Sequence, residues 1–468
     1  MRKILYLSLL LGFLSSCVDN PYVDEGAYLE TENPTASWIN GMKRQLALTM
    51  NEVTTSTELV SDNYFNNYTS FSKVFDIPEI DYADVDVNNF QSEIGALRSM
   101  AGYGLETVVP ADEGATDEDK SYLNFCKAYA LILAGENFVG LPDTTNGPVV
   151  EWKNLLENSL EYLDQAIGQT AGQSNRHAYT LLKARVYRDL GNVDQAKTYA
   201  LEVLDDTALL FQVEFDGENG VSNEMQYATF TSTQNMFAPL PRLDFLDPKY
   251  YDEGTPETEQ KPVAIAKAEE AFLILAEAYV AEGSLSQARA TLTRLMTEVV
   301  ANRVTVQVDG SNQRREGSNR TDYPVTAVSV RFDSNDSFRS GYVSDRQAGD
   351  IPVYPVSGTK VTLDDISNAT GEDGLLYLIY RLRQEIFISE GRRMNDLGIR
   401  FPVSQTEQLN NPNIADEYTK ANIPSFIPLD YGMDDFSVDA TTGNVTVTYD
   451  MNKVLIENKS ADDVLPFN

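Results

Sequence analysis

Histidine and cysteine are almost missing from this chain: its 468 residues include one histidine, His177, and two cysteines, Cys17 and Cys126. A multi-histidine or cysteine-rich metal site cannot be assembled from that inventory, nor can a Cys/His nucleophile pair. Tryptophan is nearly as scarce. Trp38 and Trp152 are the only two, and both fall at helix-face positions, so a tryptophan-rich platform for stacking flat ligands is excluded. Basic residues are outnumbered, with 36 Lys plus Arg against 71 Asp plus Glu and a formal net charge of −35. So acidic a surface repels phosphodiester backbones, and nucleic acid is not an expected partner. Gly-x-Ser-x-Gly, Gly-x-Gly-x-x-Gly, the Walker loop and His-Glu-x-x-His are all absent, which removes the common hydrolase, dinucleotide, nucleotide and zinc-protease sites. What remains is 42% apolar and 10% aromatic content, enough for a packed interior.

Only one long apolar run exists, Ile4 to Leu14, preceded by Arg2-Lys3 and followed by Ser15-Ser16-Cys17. It is about half the roughly twenty residues that span a bilayer, and its flanks match a secretory signal. Residues 1–16 are therefore expected to be removed. The ending Leu14-Ser15-Ser16-Cys17 resembles a bacterial lipobox, in which the cysteine thiol takes a diacylglycerol and becomes the first mature residue. Cys17 is the expected anchor, and Cys126 is left without an intrachain partner. Val18 rather than Asp follows Cys17, and acids stand at Asp19, Asp24 and Glu25; this resembles the surface-export signals of Bacteroidota lipoproteins. Residues 17–36 read as an acidic flexible tether. The expected location is the outer membrane, lipid-anchored and facing the cell exterior.

From Ser37 onward the pattern is helical. Trp38, Ile39, Met42, Leu46, Met50 and Val53 recur at three- and four-residue spacing, which places them on one helix face. An internal repeat follows: Ala184, Tyr187, Gly191, Val193 and Ala196 have the same offsets as Ala276, Tyr279, Gly283, Leu285 and Ala288. The alanine lets two helices approach, the tyrosine fills the space one turn on, and Gly191 and Gly283 end the first helix in a left-handed conformation. Asn192 with Gln195, and Ser284 with Gln287, supply the next N-cap and its partner. This is the tetratricopeptide pattern. The fold class expected is mainly α: helical pairs at about 37–61, 121–169, 175–205, 267–303 and 375–400 in a right-handed superhelical scaffold, with irregular insertions at 62–115, 207–262, 304–372 and 401–468. The last strong helix is expected over Leu375 to Glu390, and short strands near 304–308 and 445–449. Residues 37–468 are read as one domain. Insertions this long are usually functional.

The segment Arg383-Gln384-Glu385-Ile386-Phe387-Ile388-Ser389-Glu390-Gly391-Arg392-Arg393-Met394-Asn395-Asp396-Leu397 resembles the C-terminal signature of the SusD/RagB family, with Glu390, Gly391, Arg393, Asp396 and Leu397 in place. Glu385 lies five residues before Glu390, where the family has a glutamate at four. Phe125-Cys126-Lys127-Ala128-Tyr129 with Gly140-Leu141-Pro142 resembles the family's Arg-Ala-Tyr helix and following Gly-x-Pro. The resemblance implies a non-catalytic outer-membrane lipoprotein that captures a nutrient, an oligosaccharide first and a peptide second, as the lid of a SusC-like TonB-dependent transporter. Glu390, Arg393 and Asp396 are expected to form a buried ion network.

Family members hold their ligand on the loop-rich face, often with sugar rings stacked on aromatics. Tyr64, Phe65, Asn67 and Tyr68, with Tyr82 and Phe90, are the candidate ligand contacts, because aromatics and amides alternate there in an expected loop. Tyr227, Phe230, Tyr250 and Tyr251 are secondary. No cofactor or catalytic metal is expected. Asp84-x-Asp86-x-Asn88 departs from a calcium loop at positions six and twelve (Asn89 and Gly95), which leaves room only for an irregular structural calcium site. Two other readings are a tetratricopeptide scaffold for another protein and a two-carboxylate glycoside hydrolase, the second disfavoured by the helical-repeat body. Cys17→Ala is expected to leave unlipidated precursor and to abolish recovery in the outer-membrane fraction, with fractionation and surface labelling as the check.

Overall fold

Pro34 opens the longest helix, α1 (Pro34–Val60), at a position where its missing N–H has no intrahelical partner. Ile39, Met42, Leu46, Met50 and Val53 are all buried, as their spacing requires. The computed structural model describes residues 28–67, 75–232, 236–311, 320–429, 432–464 and 467. Cys17, the expected signal and residues 18–27 of the expected tether therefore lie outside the described residues. The tether's end is folded: the Tyr28 hydroxyl donates to the Pro34 carbonyl at 2.7 Å, and its ring centroid lies 6.1 Å from that of Trp38.

One correction concerns the first insertion, expected to be irregular over 62–115. It contains a helix, α2 (Val85–Tyr103), whose Val87, Phe90, Ile94, Leu97 and Ala101 are buried against α1 and the helix that follows. The apolar period was present but interleaved with Asp, Asn and Ser. Asp84 is the N-cap, its side chain accepting from the Asp86 N–H at 2.9 Å, so the acids that suggested a calcium loop open a helix instead. Among the described residues no three His, Cys, Asp or Glu side chains converge as a metal site.

Six further helices follow as antiparallel-type neighbours: α3 (Asp117–Asn137), α4 (Trp152–Gln169), α5 (Gln173–Asp189), α6 (Val193–Val203), α7 (Ala268–Ala281) and α8 (Leu285–Arg294). α3 packs on α4, α5 on α6, α7 on α8, and each pair on the next through α4 with α5 and α6 with α7. Gly191 and Gly283 both have φ 73°. In each turn the N–H three residues past the helix closes on a tyrosine carbonyl, Asn192 to Tyr187 and Ser284 to Tyr279, both at 2.8 Å. Asn192 then caps α6 through its side chain, accepting from Gln195 N–H at 3.1 Å. Ser284 makes no side-chain cap; only its carbonyl engages Gln287. Ala184 and Ala276 are fully buried at the close approaches.

Among the described residues eleven short strands decorate this body: β1 (Tyr64–Asn66), β2 (Gly140–Pro142), β3 (Val149–Glu151), β4 (Leu210–Val213), β5 (Phe237–Pro239), β6 (Val263–Lys267), β7 (Val306–Asp309), β8 (Val330–Arg331), β9 (Asp350–Val353), β10 (Phe436–Val438) and β11 (Val445–Val447). β2–β3 and β10–β11 are hairpins, whereas β1–β5, β4–β6 and β7–β9 join distant segments, and β8 adds in parallel to β11. The expected strands near 304–308 and 445–449 are β7 and β11. β1–β5 and β8–β11 tie one insertion to another, whereas β7–β9 closes a single insertion on itself.

The C-terminal part contains α9 (Gly371–Ile386) and α10 (Met451–Glu457), which pack together, beside shorter helical turns. α9 ends at Ile386, four residues before the expected Glu390, because the chain turns inward through Ser389 at φ 62° and Gly391 at φ 71°. A Cβ on Gly391 would lie 2.5 Å from Val53 Cγ1 of α1, so that residue is glycine for conformation and for space. Among the described residues no helix is long and apolar enough to cross a membrane.

Gly283 offers a test of the repeat turns, because a Cβ there meets nothing within 4 Å. Gly283→Ala is expected to lose about 1–2 kcal/mol from backbone strain alone, measurable in urea melts. Gly283→Asn, which tolerates the left-handed region, should recover part of it.

Candidate functional site

The last turns of α1 place Glu52, Thr55, Ser56 and Leu59 on one helical face, spaced three, four and seven residues from Glu52. Three other segments meet that face. The start of α2 brings Asp86 and Asn89; residues 217–231 and 236–237 bring Asn223, Glu224, Gln226, Tyr227, Met236 and Phe237; residues 256–260 bring Glu257 and Gln260. Together with Phe75 they enclose a cleft of about 500 Å³, within the size range of small-molecule sites.

Hydrogen bonds hold this wall in place. Asn51 donates to the Ser222 carbonyl at 2.9 Å and accepts from the Glu224 N–H at 3.0 Å, fixing the loop to α1. Asn223 donates to the Lys261 carbonyl at 2.8 Å. Gln226 donates to the Glu259 carbonyl at 3.0 Å and accepts from Lys261 N–H at 2.8 Å. The amides are thus committed to the loops they build. Leu59, Phe75, Met236 and Phe237 supply an apolar floor, and Tyr227 stands 54% exposed at the edge. Burial, with Glu224, Asp86 and Glu93 nearby, pushes the Glu52 carboxyl up to about 7. Desolvation raises Glu224 as well.

Most candidate contacts read from the sequence lie elsewhere. Tyr64 is fully buried, its hydroxyl 2.8 Å from Ser389 Oγ. Phe65 packs against Tyr323 and Phe436 at 5.9 and 6.0 Å. Asn67 is buried and its N–H donates to the Met236 carbonyl at 2.9 Å, extending the β1–β5 pair. Phe90 sits on the buried face of α2, 5.1 Å from Phe138 and 5.4 Å from Phe401. These four are core residues and not ligand contacts, because β1 is an interior strand paired with β5 and α2 is a helix. Tyr82 is half-buried and away from the cleft lining, its carbonyl accepting from Gln405 N–H at 2.8 Å. Tyr68 lies outside the described residues. Tyr227, from the secondary group, does line the cleft, while Tyr250 is buried and donates to the Ser389 carbonyl at 2.8 Å. Sequence reasoning missed Glu52, Glu224 and Glu257, since nothing local distinguishes them from other acids.

The motif residues form a buried network, each pairing with a different element. Glu390 accepts from Lys249 at 2.5 Å and Lys267 at 2.6 Å. Arg393 binds Asp62 at 2.5 Å. Asp396 accepts from Arg383 at 2.8 Å and lies 3.3 Å from Arg188. The Gly391 N–H donates to Glu58 at 2.9 Å. Glu385 pairs within its own helix, with Arg381 at 3.0 Å.

Beside Phe75 lies a second buried acidic feature. Asp76 accepts from the Asn66 N–H at 3.0 Å and is hydrogen-bonded to Asp434 through its side chain. Burial pushes the Asp76 carboxyl up to about 7; burial and then Asp76 raise that of Asp434 further above its ordinary value.

A helical-repeat body whose insertions build a ligand-sized cleft is the class of molecule these features define. More narrowly, the chain has the SusD-superfamily fold. It is similar to a SusD superfamily protein from Bacteroides fragilis, with 15% identity and a TM-score of 0.55 over 83% of this chain and 99% of that one. A SusD superfamily protein from Bacteroides thetaiotaomicron is similar with 11% identity and a TM-score of 0.55 over 82% and 98%. A SusD-like carbohydrate binding protein from Bacteroides vulgatus is similar with 11% identity and a TM-score of 0.50 over 84% and 99%. No family model and no curated protein matches the sequence.

The Asp76–Asp434 pair makes a signed prediction. Because the Asp76 carboxyl is raised, the stability its proton contributes is complete below the unfolded value near pH 4 and is lost as pH rises through about 7. Asp434→Asn removes the second charge. Its melting temperature relative to the parent is expected to be higher at pH 8 than at pH 5, read by calorimetry at both values.

Proposed function

We propose that this chain is a non-catalytic nutrient-capture lipoprotein of the outer-membrane surface, anchored through Cys17, that passes its ligand to a SusC-like TonB-dependent transporter. The observation that carries this reading is the cleft of about 500 Å³ built by the insertions of a SusD-superfamily fold. An oligosaccharide is the first ligand class: an apolar floor with an exposed tyrosine suits the C–H faces of sugar rings, and side-chain oxygens suit hydroxyls. The similar Bacteroides vulgatus structure is of a protein described as carbohydrate binding. Peptide is the second class. The lipobox and acidic N-terminus support the anchor, and the SusD/RagB signature at Glu390–Leu397 supports the transporter partnership.

Calorimetry of the protein lacking residues 1–17 against oligosaccharides and protein digests tests the capture reading. Tyr227→Ala is expected to weaken binding by about 1 kcal/mol without changing the melt. Tyr64→Ala should lower the melting temperature by many degrees. Mass spectrometry after prolonged incubation should recover the ligand intact; time-dependent cleavage would make the protein an enzyme.

A further inference from the structure

Many buried carboxylates elsewhere among the described residues are matched by a donor. Glu58, Glu270, Glu390, Asp62 and Asp396 each accept from a base, an amide or a backbone N–H. Glu52 is different. It faces the cleft, is largely withdrawn from solvent, and its carboxylate has no ion pair or hydrogen bond among the described residues. Glu224 stands beside it from the loop segment, Asp86 and Glu93 from α2, and Glu257 across the opening. The described lining includes four carboxylates and no Lys, Arg or His.

Resting on the capture reading above, we propose that the cleft selects ligands that carry a protonated amine, with Glu52 as the counter-ion, and rejects anionic ones. Charge complementarity makes the choice. In a site partly shielded from water the attraction between Glu52 and an ammonium exceeds that of an exposed pair, and the apolar floor under it at Leu59 and Phe237 holds the rest of the ligand. Uronates and sulfated sugars would meet carboxylates on every charged side, a repulsive element that sets specificity. A neutral ligand would leave Glu52 unpaired. Burial and like-charged neighbours hold the carboxyl near 7 in the empty cleft, and a bound cation draws it down, so binding expels a proton near neutral pH.

An ammonium could come from an amino sugar or from a basic peptide, and paired probes separate the two. One pair is a glucosamine trimer and its N-acetylated counterpart; the other is a lysine-containing tripeptide and its Nε-acetyl form; trigalacturonate is the anionic control. Each is titrated into the folded protein and into Glu52→Gln and Glu224→Gln, with melts as the fold check. At least one amine probe is expected to bind tenfold or more tighter than its acetylated partner, and Glu52→Gln should erase that ratio. The pair that shows the ratio identifies the source. For the lysine peptide, whose amine stays charged from pH 6 to 8, affinity should rise about tenfold over that interval as Glu52 ionises. Equal binding of amine and acetyl forms, tight binding of trigalacturonate, or an unchanged ratio in Glu52→Gln would overturn the charge selection and leave nutrient capture standing. If no oligomer of any charge binds, both readings fall.

Discussion

A carboxylate taken into a protein interior must find a base or a proton, and this fold is organised around that constraint. The turn 387–396 gathers the matches. Glu390 holds Lys249 and Lys267, Arg393 holds Asp62, and Asp396 holds Arg383. Gln384 fills the space between, accepting from Arg242 and Asn452 at 2.6 and 2.9 Å and donating to Asp62 and Asn63 at 2.8 and 3.1 Å. These partners come from the segment just after α1, the 207–262 insertion, β6, α9 and α10, so one short turn joins the end of the N-terminal helix to the C-terminal insertion. Removing one member of such a pair costs about 3–5 kcal/mol, because the other charge is left buried and alone. That cost, more than any net attraction, explains why so many partners converge there.

The same constraint shapes the surface. Among the described residues nine arginines and three lysines are buried, drawn from a total of only 36 bases in the chain. Fourteen Asp and Glu are buried with them among the described residues, so the core is nearly balanced in charge and the acidic excess of the chain lies outside it. Asp76 and Asp434 show the other solution, in which burial raises two neighbouring carboxyls and favours a proton in place of a base. The cleft lies on the acidic side of this partition.

The repeat hairpins were legible because their determinants are local. A glycine at φ 73°, an alanine at the close approach and a tyrosine one turn away all act within about twelve residues. The buried ion network was legible from the signature residues, but its partners were not, since Asp62 lies 331 residues from Arg393. The stretch Tyr64–Asn67 misled for the same reason. Its aromatics and amides resemble an exposed loop until β5, more than 160 residues on, pairs with it and closes the strand inside. α2 was readable in principle, its buried period hidden by polar residues at every other step. Glu52 carries no sequence signal, because its setting appears only when residues 217–231, 236–237 and 256–260 fold across α1.

α1 connects these two regions. Six residues, about 9 Å of helix rise, separate Glu52 in the cleft from Glu58, which accepts the Gly391 N–H in the core. One face of the helix is fixed by Val53, against which Gly391 packs without room for a Cβ; the other presents Glu52, Ser56 and Leu59 to the cleft. A binding residue on such a helix pays no ordering cost when a ligand arrives, since the core has already fixed its backbone. The loops opposite are tied to the same helix through Asn51. The cleft therefore derives its rigidity from the buried ionic turn beneath it, although none of the charges in that turn lines the cleft.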